Sequence, residues 1–119
     1  MSIFRKLTSR FKRDGSGSRR HIRHECFMPA RLYFLDHGFH IDGFINEISQ
    51  GGARFRSEQN FIMQRSNEIV RICTDGFDYD GILRNTSVDG YGIQLRQPLD
   101  EAALAAILIE NPPRRQIAA

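Results

Sequence analysis

The sequence predicts an all-β domain: a six-stranded antiparallel β-barrel capped by one C-terminal α-helix. Three observations carry that expectation. Apolar and polar residues alternate with a period of two through six short stretches. Turn chemistry separates several of them, at Asp36-His37-Gly38, Gly51-Gly52, Asp75-Gly76 and Asp89-Gly90. Only residues 101–110, rich in Ala, Leu and Ile, read clearly as helix. An open sheet of six strands would expose two bare edges, and closure into a barrel removes them.

In chain order, Cys26, Met28, Ala30, Leu32 and Phe34 alternate with Phe27, Pro29, Arg31, Tyr33 and Leu35, which predicts a first strand over 26–35. Pro29 has no N–H to give a ladder, so the start of that strand belongs at an edge or a bulge. Residues 39–48 form a second strand with Ile41, Gly43 and Ile45 on one side, completing a hairpin. After the turn at 49–52, Ala53-Arg54-Phe55-Arg56 alternates small or aromatic residues with arginine, a third strand with one wet face. Residues 68–74, 77–86 and 91–95 supply three more, and the whole reads as a meander of antiparallel hairpins. Asp100 is placed to cap the helix and Pro112-Pro113 to stop it, so its apolar Leu104, Ile107 and Leu108 must cover part of the barrel.

A chain of 119 residues is large enough for one hydrophobic core and too small for two. Its 40% hydrophobic and 26% charged content is that of an ordinary globular domain, which excludes wholesale disorder. Residues 1–18 are expected to be a basic leader and linker, 19–111 the folded domain and 112–119 a frayed tail. Within the leader, Ile3, Phe4, Leu7 and Phe11 fall at near-helical spacing among basic residues, so 1–13 can form an amphipathic segment able to touch anionic lipid. The longest apolar run, 102–109, is far short of the roughly 18 residues a membrane span requires. Cys26 and Cys73 are distant in sequence and each lies in an alternating apolar stretch, which predicts buried reduced thiols and a cytoplasmic chain, peripheral to a membrane at most.

The charge is uneven. Residues 1–24 hold eight Lys or Arg against one acid, and the remainder holds nine Arg against thirteen acids. Only Lys6 and Lys12 among the basic residues are lysines, a bias toward planar, bidentate recognition of phosphate or guanine. Arg19, Arg20 and Arg23 put three guanidiniums within five residues where the linker meets the first strand. Charge alone would make this a solvated basic run. A second group lies at 47–52, where Glu47, Ser49, Gly51 and Gly52 combine a carboxylate, a hydroxyl and accessible backbone N–H groups at one turn. A carboxylate can accept from guanine N1–H and N2–H₂, and glycine lets a backbone approach a ligand closely. Taken alone, this turn is an ordinary hairpin.

Together the two groups resemble the PilZ domain family, whose signature is R-x-x-x-R followed some 20 to 30 residues later by [D/N]-x-S-x-x-G. Arg19-x-x-x-Arg23 fills the first element; in the second, Ser49 and Gly52 match while Glu47 stands where the family has Asp or Asn. Tyr91-Gly92-Ile93-Gln94-Leu95 is similar to the family's late strand. The resemblance implies a non-enzymatic receptor for the bacterial second messenger cyclic di-GMP, with no cofactor. In it Arg19 and Arg23 meet guanine edges and phosphates, Arg20 is a third contact, and Glu47, Ser49, Gly51 and Gly52 form the turn. Ordering of the arginine loop would relay the signal to a downstream protein.

Two other readings stand beside it. One is a PilZ-type barrel that has lost the nucleotide and serves as a protein-interaction module, a reading that Glu47 favours and the intact arginine pair opposes. The other is a nucleic-acid-binding barrel with Phe39, Phe44, Phe55 or Tyr79 as stacking platforms, which the net acidity of residues 25–119 disfavours. No Gly-x-Ser-x-Gly, Walker loop or paired-carboxylate constellation occurs, so catalysis is not expected. The His37-x-x-His40 pair reads as ordinary surface histidines rather than metal ligands.

Overall fold

The computed structural model describes residues 21–59 and 65–114. Arg19, Arg20, the leader and the last five residues lie outside the described residues. The alternation translates directly into strands: β1 His24–Phe34, β2 Phe39–Ile48, β3 Gly52–Ser57, β4 Glu68–Cys73, β5 Asp78–Ser87 and β6 Gly90–Leu95, followed by α1 Glu101–Glu110. Every second side chain turns inward, so Leu32, Phe34, Ile45, Phe55, Val70, Ile72, Leu83 and Tyr91 meet in one fully buried core. Phe34 stacks on Phe39 and meets Tyr91 edge-on, with centroids 4.8 and 6.3 Å apart.

The strands close into a barrel in the order β1-β2-β3-β6-β5-β4. The expected single meander is therefore corrected to two three-stranded meanders, zipped together along two seams. One seam pairs β3 with β6 from Gly52↔Gln94 to Phe55↔Tyr91, and the other pairs β1 with β4 from Arg31↔Cys73 to Phe34↔Val70. The reason lies in the connections. Strands within each meander are joined by two to four residues, which compels neighbouring strands to pair, whereas the ten residues 58–67 are long enough to deliver β4 beside β1.

Three bulges interrupt the ladders, between Glu25 and Met28, Ile45 and Glu47, and Leu83 and Asn85. Pro29 follows the first of them, in the part of β1 that pairs with β2 alone, as its missing N–H requires. Asp100 Oδ1 accepts from the Ala103 N–H at 2.7 Å and starts α1, while Asn111 closes it by donating to the Ile107 carbonyl. Leu104 and Ile107 enter the core, and Leu108 packs against it half-buried. The Phe27 N–H donates to the Asn111 carbonyl at 3.2 Å, tying the helix end to the bulged start of β1.

Both thiols are free. Cys26 is buried as expected, and burial, helped by the Glu47 carboxylate, pushes its pKa up to about 11. Cys73 departs from the expectation and is only half-buried. Ile72 takes the inward position on β4, so the period of two turns Cys73 outward, between Arg31 and Asp78 on the neighbouring strands.

Candidate functional site

The turn at 49–52 is built around one hydroxyl. Ser49 is buried, and its Oγ accepts from the N–H groups of Gly51 and Gly52 at 3.3 and 3.1 Å while donating to the Gly52 carbonyl at 3.4 Å. Its own N–H donates to the same carbonyl at 2.9 Å. Ser49 thus spends its bonding capacity shaping the turn. Two further backbone bonds clamp the turn to the exit of β6, from Leu95 N–H to the Gly51 carbonyl and from Leu99 N–H to the Gln50 carbonyl.

Gly52 is required by proximity to backbone, and neither Gly51 nor Gly52 by a positive φ. A Cβ on Gly52 would stand 2.8 Å from the Ile93 carbonyl oxygen across the β3–β6 seam, and one on Gly51 would stand 2.7 Å from the His21 ring. The second contact shows where the chain enters the barrel. The segment carrying Arg23 lies directly against the turn, so two groups more than twenty residues apart in sequence become one wall.

The β2 bulge decides the position of Glu47. Ile45 faces the core opposite Phe55, and strict alternation would send residue 47 inward as well. The extra residue at the bulge instead sets Glu47 opposite Arg54 on β3 and returns Ile48 to the core. The Glu47 carboxylate oxygen Oε1 consequently lies 3.3 Å from Arg54 Nη2 and 3.6 Å from Arg23 Nη1. One carboxylate oxygen serves two guanidiniums.

These residues line a cleft of about 550 Å³ over the β3–β6 seam, completed by Arg84 and Asn85 of β5 and by Gly92, Ile93, Gln94 and Leu95 of β6. The β5 bulge sets Asn85 opposite Gly92, and its amide fills the space that a side chain on Gly92 would need. Arg84 is held by two neutral amides, donating to Gln94 Oε1 at 2.8 Å and to Asn67 Oδ1 at 3.2 Å. Among the described residues the lining sets Arg23, Arg54 and Arg84 against one acid, Glu47, and so carries net positive charge and many donors, which suits an anion bearing several acceptors.

Of the residues expected from sequence, Arg23, Glu47, Ser49, Gly51 and Gly52 come together here, while Arg19 and Arg20 lie outside the described residues. Arg54, Arg84 and His21 were not anticipated. In the sequence Arg54 belongs to a wet strand face, and its alternation with Ala53 and Phe55 is the signal available for it. His37 and His40 do not converge: His37 Nε2 lies 3.0 Å from Glu68 Oε1, and His40 Nε2 lies 3.9 Å from Asp42 Oδ1. The aromatic residues considered for base stacking form no exposed row either. Phe55 is buried, Phe39 and Tyr79 pack on the core, and Phe44 lies against Phe27 with centroids 4.8 Å apart.

A closed six-stranded barrel with a helix behind it and an arginine-lined cleft over one seam defines a binding module. A family model described as PilZ domain matches residues 18–110, and the chain belongs to that family. PilZ domains are in general effector modules that bind cyclic di-GMP, not enzymes. A comparison with curated proteins gave no match.

Proposed function

We propose that this chain is a cytoplasmic receptor for cyclic di-GMP, which it holds in the cleft between the Arg19-x-x-x-Arg23 segment and the Glu47-x-Ser49-x-x-Gly52 turn. The observation that carries the reading is the meeting of the described end of the first element with the turn on one cleft, with His21 against Gly51 and Arg23 ion-paired to Glu47. Arg19, Arg20 and Arg23 supply bidentate donors for phosphate oxygens and for guanine O6 and N7. Gly51 and Gly52 let the turn pack close against His21 and the Ile93 carbonyl, and Ser49 holds them in place.

The energetics are of the right size. Charge-assisted bonds contribute about 1.5–3 kcal/mol each. Three or four of them, less the cost of ordering the arginine segment, approach about −8 kcal/mol, the micromolar range. The segment ordered around the ligand then presents a new surface to a downstream protein. Residues 1–13 offer a second contact, with anionic membrane, and liposome sedimentation that is unchanged when they are deleted would remove that part of the reading.

Isothermal titration with cyclic di-GMP tests the core of the proposal, with GMP and a labelled oligonucleotide as controls. Micromolar binding of the dinucleotide, weakened about thirtyfold by Arg23→Ala, is the expected result. Oligonucleotide binding in its place would turn the reading toward nucleic acid. A folded chain silent toward all three would turn it toward a protein-interaction module.

A further inference from the structure

The two guanidiniums of the cleft do not each have their own counter-ion. Arg23 Nη1 and Arg54 Nη2 converge on the same atom, Glu47 Oε1, at 3.6 and 3.3 Å. Elsewhere on the barrel, Arg71 Nε meets Asp80 Oδ1 at 2.7 Å and Arg31 Nε meets Asp42 Oδ1 at 2.9 Å, each a short, direct hydrogen bond. Charge-assisted bonds of full strength fall near 2.7–2.9 Å. The cleft pairs are longer, shared and part-exposed, with side-chain exposures of 53% for Arg23, 33% for Arg54 and 26% for Glu47. A point where two arginines converge loosely on one oxygen is a point that another anionic oxygen can take over.

We infer that the point between Arg23 and Arg54 is a subsite for a phosphodiester oxygen, and that Glu47 occupies it as a built-in competing anion until the ligand displaces it. The inference rests on the cyclic di-GMP reading and changes two roles within it. Arg54 becomes a ligand-binding residue, and Glu47 becomes a brake on affinity rather than an acceptor for guanine. The bulge at 45–47 is what builds the brake. It sets residue 47 opposite residue 54, and the glutamate side chain, one methylene longer than aspartate, reaches both guanidiniums at once. An aspartate there would keep the charge and draw the oxygen back from the subsite.

Titration of the full chain with cyclic di-GMP, as wild type and as Glu47→Gln, Glu47→Asp, Arg54→Ala and Arg23→Ala, decides the matter, with thermal melts to verify that each variant folds. Releasing two loose, part-exposed pairs should tighten binding about fivefold in both Glu47 variants. Arg54→Ala should weaken it about tenfold. Binding by Glu47→Gln when wild type is silent would also support the brake, as complete self-blocking. Unchanged or weaker binding in both Glu47 variants overturns the inference, and so does an Arg54→Ala variant that binds like wild type. If wild type binds and Arg23→Ala weakens it while the Glu47 and Arg54 variants fail these expectations, the receptor reading stands and only this inference falls. If no variant binds, both fall together.

Discussion

The two sides of the barrel use the same residue types to opposite ends. On the outer face of β1 and β4, Arg31 donates to Asp42 on β2 and Arg71 donates to Asp80 on β5, each through one short hydrogen bond. The hydrogen bond from Arg71 holds the Asp80 carboxyl below the usual carboxylate range, so both groups stay charged and satisfied by each other. Over the β3–β6 seam, Arg23 and Arg54 share one carboxylate, and Arg84 donates to two neutral amides. Among the described residues that line this cleft, positive charge and bonding capacity are left over. An arginine marks a binding site through what its partners leave unused, and counting arginines does not reveal it.

The comparison can be broken at several points. The largest effect is expected from Gly52→Ala, whose Cβ would press on the Ile93 carbonyl and force β3 away from β6. A loss of roughly 2–4 kcal/mol in a urea melt is expected, together with loss of the cleft. Arg23→Ala should cost about 2 kcal/mol of cyclic di-GMP binding and leave the melt unmoved, because an exposed pair contributes little to folding. Arg71→Ala is its counterpart on the opposite side and should leave affinity unmoved. Equal losses of affinity in the two variants would erase the distinction between the faces. Ser49→Ala removes the acceptor for two N–H groups in a buried turn and should lower stability by about 1–2 kcal/mol.

A further effect is expected at alkaline pH. The Cys26 thiol is raised to about 11 in the fold, so the folded state holds its proton after the unfolded chain has lost it. Its contribution is complete below the ordinary thiol range and disappears as pH rises through the folded value. Melts between pH 8 and pH 11 should show a decline that is shallower in Cys26→Ala.

Much of this was legible in the sequence because strands and helix ends depend on near neighbours. The alternation through Leu32 and Phe34, the Asp89-Gly90 turn, the Asp100 cap and the Pro112-Pro113 stop each act within a few residues. Barrel closure was expected from the edge problem, but its seams were not, since β1·β4 and β3·β6 pair residues some forty apart through a connection whose path has no local signature. The site shows the same boundary. Arg23 and the glycines of the turn were visible as motifs. The ion pair of Glu47 with Arg54 was not, because it depends on a bulge, and a bulge leaves no mark in a pattern that tolerates one extra polar residue between Ile45 and Ile48.

The contrast between the two faces is tested most directly by mapping backbone amide shifts in the ¹⁵N-labelled chain during titration with cyclic di-GMP. The prediction is that the largest shifts fall on Gly51, Gly52, Arg54 and Gly92, around the cleft, and that Arg31, Arg71 and Asp80 stay still. Shifts centred on the Arg31 and Arg71 face, or a saturating titration that leaves the 47–52 turn unmoved, would contradict the assignment of the site.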